Sequence, residues 1–370
     1  MRIDSVEAIP LAVSFRSTFR FGHSERTTSP NVVVIIRTDE GHVGYGEACP
    51  VPAFTSETQR SIVELIEGRV APLFLGRDPA DRVPLLCELG RVLTAAPFTT
   101  CALGTALLDL LGHALGVPAS TLLGGAFRDR VEVHGSVGWD EDAGRMVETA
   151  LAQCHTYRWL KLYAGRGELD ADLGRLRAVR EAVGPAIRLF VDLNGLWTPS
   201  DLVRALPRLA ELDIRVLEQP LSDAASGYLP PLVADLRVGI IADESVRTVT
   251  DAARVARERS ATAINVGHSK LGGPSAALQA AQVAAAAGLD VAVGSVIEMG
   301  IATAMGLHLA AALPRLAYPA YLIGPLKYRE QITVESLDVV EGCVAVPRGP
   351  GLGWTVDEAA LRRLDARRQP

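Results

Sequence analysis

Three short apolar runs, IRLFVD (187–192), IRVLEQ (214–219) and VGIIAD (238–243), decide the fold, because each carries an acid at or next to its end. A short apolar run reads as a strand buried on both faces. The stretch SDLVRALPRLAEL (200–212) between the first two has the apolar spacing of an amphipathic helix. Strand–helix alternation builds a parallel sheet. The same alternation extends both ways, through VEVHGSV (131–137) and RWLKLY (158–163) before, and TAINVG (262–267), DVAVGS (290–295) and a weaker AYLIG (320–324) after. Eight runs at roughly 30 residues per unit fit a closed barrel. An open doubly wound sheet would carry a Gly-rich phosphate loop after its first strand, and VEVHGSVGWD (131–140) is not one.

Outside the barrel the pattern changes. VEAIPLAV (6–13), NVVVIIRT (31–38) and GHVGYGEA (41–48) alternate as antiparallel strands with Gly-bearing turns. Helical stretches follow at 56–76, 78–93 and 99–116; the last is small and apolar all round, which predicts burial. The expected division is an α+β capping domain over 1–128, a barrel over 129–323, and a strand-like tail, 324–370, that packs on the N-terminal block without a part in the barrel.

Composition excludes several classes. The 370 residues are 48% hydrophobic and 22% charged, with 34 Gly and 22 Pro, which is ordinary globular usage. The net charge of −6 and the lack of a basic run argue against nucleic acid and anionic membrane as partners. Five cysteines without a CxxC pair favour reduced thiols and a cytoplasmic setting. The N-terminus lacks the basic region of a signal peptide. The Ala-rich stretch 276–294 is interrupted by Gln, Gly and Asp and reads as a helix and strand, not a membrane span.

In a βα barrel the residues at the C-terminal strand ends form the active site. Asp192, Glu218 and Asp243 stand one strand–helix unit apart. Three carboxylates at one mouth repel one another, and a hard divalent cation is their natural counter-charge. The alternative is that each acid caps the helix after it. Lys161 and Tyr163 share one strand face at the end of RWLKLY. Gly267, His268 and Lys270 follow the sixth run, and Ser295 and Glu298 the seventh. Lys270, just before a Gly pair, also reads as cover for a helix start.

These residues resemble the enolase superfamily, and within it the muconate lactonizing enzyme and mandelate racemase group. The matching segments are VDLNGLW (191–197), LEQPL (217–221), ADES (242–245), KLGG (270–273) and GSVIEMGIATAMGLHLAA (294–311). TDEGHVGYGEACPVP (38–52) and GPGLG (349–353) match in the capping region. The resemblance implies an α/β fold, a modified TIM barrel of the (β/α)7β type with an α+β capping domain. It implies Mg²⁺, with Mn²⁺ as a substitute, held by Asp192, Glu218 and Asp243. It also implies removal of a proton α to the carboxylate of a small substrate through a metal-stabilised enediolate. Asn194 and Glu244 are expected to support the site, with Ser295 and Glu298 near the substrate. His23 is expected in a capping loop over it, and homo-oligomers are expected of such barrels.

The chain departs from the group at two positions. The usual Lys-x-Lys of the second strand is Lys161-Leu162-Tyr163, and the usual sixth-strand Lys falls on Gly267 of INVG (264–267). With both lysines of the two-base pair replaced, Tyr163, Lys161, His268 and Lys270 are the acid–base candidates. A tyrosine acts as a base only if its pKa falls, and Lys161 and the metal are the expected causes of that fall. An isomerase, by cycloisomerisation or epimerisation, is the leading expectation. A lyase working by β-elimination, and a non-catalytic metal- and ligand-binding scaffold, are the alternatives.

Overall fold

The computed structural model describes residues 1–235 and 238–368. Five strands open the chain: β1 (Ile3–Pro10), β2 (Val13–Phe21), β3 (Ser24–Ser29), β4 (Val32–Thr38) and β5 (Val43–Ala48). β1, β4 and β5 form an antiparallel sheet, and β2 and β3 a separate hairpin. The helix Pro97–Leu115 packs on the sheet and is buried along most of its length, as its composition predicts. It is long and apolar enough to cross a membrane, with mean hydropathy 1.3, but 78% of that apolar window is buried inside the protein. Gly44 and Gly46 of β5 make the packing possible, because a Cβ at either would collide with the carbonyl oxygens of Ala106 and Ala102.

A short strand, β6 (Arg130–Glu132), leads into seven parallel strands: β7 (Gly135–Val137), β8 (Trp159–Tyr163), β9 (Arg188–Asp192), β10 (Val216–Glu218), β11 (Gly239–Ala242), β12 (Ala263–Asn265) and β13 (Asp290–Ala292). β7 to β13 lie side by side in sequence order. The eighth run forms no regular strand. Its backbone nevertheless joins both edges, with Ala317 N on Val291 O and Tyr321 N on Val293 O, and Ala320 N on Glu132 O. The fold is therefore an α/β modified TIM barrel with a capping domain. VEVHGSV divides: only its second half enters the barrel sheet, while β6 pairs antiparallel with β14 (Cys343–Ala345) of the tail. The tail thus touches both domains. Phe15 bridges Tyr328, Leu11 bridges Asp365, and the Tyr45 hydroxyl donates to Glu358 at 2.7 Å.

The helix caps decide what the strand-end acids do. The helix after β9 starts at Pro199, capped by Thr198, and the helix after β11 starts at Val249, capped by Thr248. Both are reciprocal boxes with an Asp at the third position, Asp201 and Asp251. The 3-10 turn after β10 has Ser222 at its cap position. Asp192, Glu218 and Asp243 cap none of these, and their carboxylates are left for the barrel mouth. All five cysteines are free thiols.

Candidate active site

Parallel register sets two of the acids level: Glu218 pairs with Asp192, and Tyr163 with Asp192 on the other side, while Asp243 follows the end of β11. Asp192, Glu218 and Asp243 are all buried and line one cavity with Lys161, Tyr163, Asn194, Glu244, Lys270, Ser295, Glu298 and Tyr321. The cavity is small, about 40 Å³, room for a few waters and too little for a six-carbon diacid. Phe19 and Phe21 of the β2–β3 hairpin roof it, with Phe19 edge-on to Tyr163 at 5.6 Å.

Two ammonium groups neutralise part of the acid cluster. Lys161 Nζ donates to Asp192 Oδ2 at 2.8 Å and to Glu218 Oε2 at 3.1 Å. Lys270 Nζ donates to Asp243 Oδ1 at 2.7 Å. Lys161 and Tyr163 stand on the second barrel strand and Lys270 follows the sixth, so they face one another across the mouth. The Lys270 stem runs past Gly267, whose missing Cβ would lie 3.6 Å from Lys270 Cε. The cation absent from position 267 is thus supplied in space by Lys270, which does more than cover a helix start.

Burial and crowding shift the site's ionisation. Desolvation, opposed by Lys161 and assisted by Asp192 and Asp243, pushes Glu218 up to about 7. Desolvation likewise raises Asp192 against the pull of Lys161, and raises Glu244 well above the carboxylate range. For Lys161 desolvation works downward, but Asp192 and Glu218 together outweigh it and hold the ammonium charged. Lys161 by itself does not bring about the expected fall at Tyr163. Lys161 Nζ is 5.2 Å from the ring centroid and does pull the hydroxyl down, but burial is the larger effect and leaves its pKa well above 10. With Lys161 as the only cation beside it, burial keeps Tyr163 a neutral phenol.

The remaining candidates separate by place. Asn194 adopts a left-handed φ of 43°, donates its side-chain amide to Glu244 Oε1 at 3.0 Å and its backbone N–H to Asp192 Oδ1 at 3.1 Å. Glu298 accepts from Ser269 at 2.6 Å, from the Val296 N–H at 3.1 Å and from Ser295 Oγ. His268 does not line the cavity; it is fully buried with its ring against Gly306, and burial lowers its pKa. His23 is exposed at the hairpin tip and lines a shallower outer depression with Asn194, Glu244 and Arg247.

Three contributors leave no spacing signal in the sequence. Asn265 Nδ2 donates to Glu218 Oε1 at 2.9 Å, while its Oδ1 accepts from Gly294 N at 2.8 Å and Gly267 N at 3.1 Å. Gln219 Oε1 accepts from the Asp243 and Ser245 N–H groups at 2.9 and 3.1 Å, pinning the turn that presents Asp243. Tyr321 of the closing run places its ring 5.0 Å from Lys161 Nζ. From the capping domain, buried Glu47 accepts from Met299 N at 2.7 Å and Ala302 N at 3.0 Å, fixing the helix that follows the Ser295–Glu298 loop.

The donor set fits a hard divalent cation. Four carboxyl groups, Asp192, Glu218, Asp243 and Glu244, stand against two ammonium groups, and every donor is oxygen. Two buried oxygens beside them, Asn194 Oδ1 and Glu244 Oε2, have no hydrogen-bond partner. Among the described residues no three acid, His or Cys side chains converge on a single point at ligand distance, and Lys161 Nζ is what lies between Asp192 and Glu218.

Comparison with known proteins follows the same lines. Residues 6–124 match the mandelate racemase / muconate lactonizing enzyme N-terminal domain, and residues 142–360 match the enolase C-terminal domain-like family. The chain is 32% identical to muconate cycloisomerase 1 of Pseudomonas putida over 99% of both chains. It is 31% identical to muconate cycloisomerase 1 of Rhodococcus opacus over 98% of both. The crystal structure of muconate lactonizing enzyme from Pseudomonas fluorescens complexed with muconolactone superposes with TM-score 0.94 at 31% identity, covering 98% of this chain and 99% of that one. A 2-chloromuconate cycloisomerase from Rhodococcus opacus 1CP gives TM-score 0.94 at 28% identity, covering 99% and 100%.

Proposed function

We propose that this chain, which belongs to the mandelate racemase / muconate lactonizing enzyme family of the enolase superfamily and is an isomerase of that superfamily, carries out a Mg²⁺-assisted cycloisomerisation of a small unsaturated dicarboxylate. Asp192, Glu218 and Asp243 would hold the ion, with Mn²⁺ as a workable substitute, and the ion would supply positive charge beside a substrate carboxylate. Tyr163 holds the proton. As one substrate carboxylate closes on the double bond and the C–O bond forms, the Tyr163 hydroxyl gives its proton to the carbon α to the other carboxylate. The reverse reaction returns that proton to the phenolate. Lys161, on the same strand face, holds the substrate carboxylate and stabilises the phenolate. Lys270 faces them from across the mouth. Phe19 and Phe21 exclude water above the reacting carbon, and Asn265 keeps Glu218 oriented.

The observation that carries this reading is Tyr163, which burial keeps a neutral phenol, on the wall of the cavity that Asp192, Glu218 and Asp243 line. Ring closure onto a double bond ends in a protonation, so a neutral phenol serves it. β-Elimination begins with proton removal, and Tyr163 is poorly disposed to begin it. The reading also depends on the mouth opening beyond its present volume, through movement of the β2–β3 hairpin. The test is incubation with cis,cis-muconate and Mg²⁺. Loss of the conjugated diene absorbance with formation of a lactone, abolished by EDTA, supports it. Mg²⁺ binding without turnover of muconate or chloromuconates overturns it and returns the chain to the scaffold alternative.

A further inference from the structure

The chain has 37 basic residues, and only three of them are lysine: Lys161, Lys270 and Lys327. The two that line the cavity are Lys161 and Lys270. Lys327 closes the short turn Gly324–Lys327 that follows the eighth run, directly behind the cavity wall. Everywhere else the chain uses arginine. Arginine replaces lysine readily on a solvated surface, but it cannot release a proton in a protein. In a chain so biased toward arginine, a lysine outside the acid cluster points to a need for a dissociable cation.

Lys327 differs from the other two in its partners. Lys161 and Lys270 are held by carboxylates, whereas Lys327 makes no ion pair among the described residues. Its ammonium donates to Ser136 Oγ at 3.1 Å and lies 5.8 Å from the Phe19 ring centroid. Ser136 Oγ is 2.9 Å from Tyr321 Oη. The Tyr321 ring is stacked on His134, with centroids 4.9 Å apart and planes 7° from parallel, which fixes its hydroxyl. Tyr321 and Tyr163 flank Lys161 on the cavity wall, their ring centroids 5.0 and 5.2 Å from its Nζ. Ammonium, serine hydroxyl and Tyr321 hydroxyl form one hydrogen-bonded chain that ends on the cavity wall Tyr163 shares.

We propose that Lys327 is the proton reservoir of the barrel mouth, reaching Tyr163 through Ser136 and Tyr321. The proposal rests on the reading of Tyr163 as proton donor. When the Tyr163 O–H bond breaks and a substrate C–H bond forms, the Tyr321 proton moves to the phenolate. The Ser136 proton moves to Tyr321, and a Lys327 N–H proton moves to Ser136. The neutral amine then takes a proton from water, so each transfer breaks one bond to hydrogen and makes another. Lys327 acts through Tyr163 and is a positioning residue, not a catalytic one. The groups that face it agree with this role. They are Ser136 of the barrel wall and Phe19 from the capping hairpin, with His134 near enough to feel the charge and no carboxylate within ion-pair distance among the described residues. Burial without a counter-charge brings Lys327 down to about 8, where it both gives and regains a proton near neutrality.

With three lysines, protein labelled at the lysine side-chain nitrogen gives three signals, and Lys327→Met identifies one. That signal is expected to titrate near pH 8, and its midpoint to move by about half a pH unit or more in Ser136→Ala and Tyr321→Phe. Exchange of the α-proton of muconolactone in D₂O with Mg²⁺ is the second readout. Lys327→Met and Lys327→Arg are both expected to lower kcat about tenfold or more with KM unchanged, within the usual range of proton-transfer contributions. Added imidazole restores the loss, which it would not do for a structural defect. A Lys327 signal that stays charged to pH 10, a midpoint indifferent to Ser136 and Tyr321, or an unchanged exchange rate in Lys327→Met overturns the proposal. If the wild-type protein does not exchange muconolactone, the functional reading fails, and the midpoint shifts alone decide for or against the relay.

Discussion

Lys161→Met separates the acid cluster's two counter-charges. The ammonium lies 2.8 Å from Asp192 Oδ2 and 3.1 Å from Glu218 Oε2, and methionine keeps most of the apolar stem. At an effective dielectric of about 20, each contact is about 5–6 kcal/mol of Coulomb attraction. Desolvation of the three groups takes much of this back, and removal of one partner from a buried pair typically costs about 3–5 kcal/mol. That loss applies where both acids are ionised. Glu218 lies near 7, raised above its unfolded value, so it takes up a proton in the folded state as pH falls through 7. The destabilisation is therefore larger at pH 8 than at pH 6, and since Lys161 also holds the Glu218 pKa down, it keeps growing above pH 8. Mg²⁺ supplies the missing charge, and at about 100 times its dissociation constant a bound ligand adds about 2.7 kcal/mol. Urea unfolding at pH 8 in EDTA is expected to show the variant about 3–5 kcal/mol less stable than wild type. The gap should narrow in saturating Mg²⁺ and at pH 6, and the variant should bind Mg²⁺ more tightly. Equal stability in EDTA at pH 8, or equal Mg²⁺ affinity in the two proteins, would refute the reasoning.

Two further outcomes follow from the supporting residues. Asn265→Leu removes the amide donor to Glu218 and the acceptor for two loop N–H groups, so metal affinity and turnover should fall about 10–100-fold; calorimetric Mg²⁺ binding at wild-type strength contradicts this. Burial raises buried Glu47 to about 7 despite its hydrogen bonds from Ala302, Met299 and Asn31. The folded state therefore binds its proton more readily than the unfolded one. Stability should fall as pH rises from about 4.5 to about 7 and level off above, and Glu47→Gln should flatten that dependence in thermal melts across the range.

The barrel and its three acids were legible because burial on both faces turns a parallel strand into an unbroken apolar run. The residue that ends such a run faces the mouth, so Asp192, Glu218 and Asp243 announced themselves by position. Other contributors had no such signature. Asn265 and Gln219 act by hydrogen bonds across neighbouring loops, which fix no spacing along the chain. Tyr321 sits in a run that closes the barrel with isolated backbone bonds instead of a ladder, and so reads weakly. Lys270 reaches the site past Gly267 because a glycine leaves room, a relation between two residues that neither shows alone. The ionisation of Tyr163 depends on a contest between Lys161 and burial, and a sequence shows the cation without showing the depth. Half of VEVHGSV left the barrel because a strand from the far end of the chain pairs with it, a partner about 200 residues away.

The central claim is that Tyr163 gives the proton that completes ring closure. It is tested most directly by comparing wild-type protein and Tyr163→Phe in D₂O with Mg²⁺ and muconolactone. Phenylalanine keeps the ring that packs against Phe19 and removes only the hydroxyl. The account predicts that α-proton exchange and lactone formation fall about 10²–10⁴-fold while Mg²⁺ affinity stays unchanged. Exchange at the wild-type rate in Tyr163→Phe would contradict it and move the proton to Lys161 or Lys270.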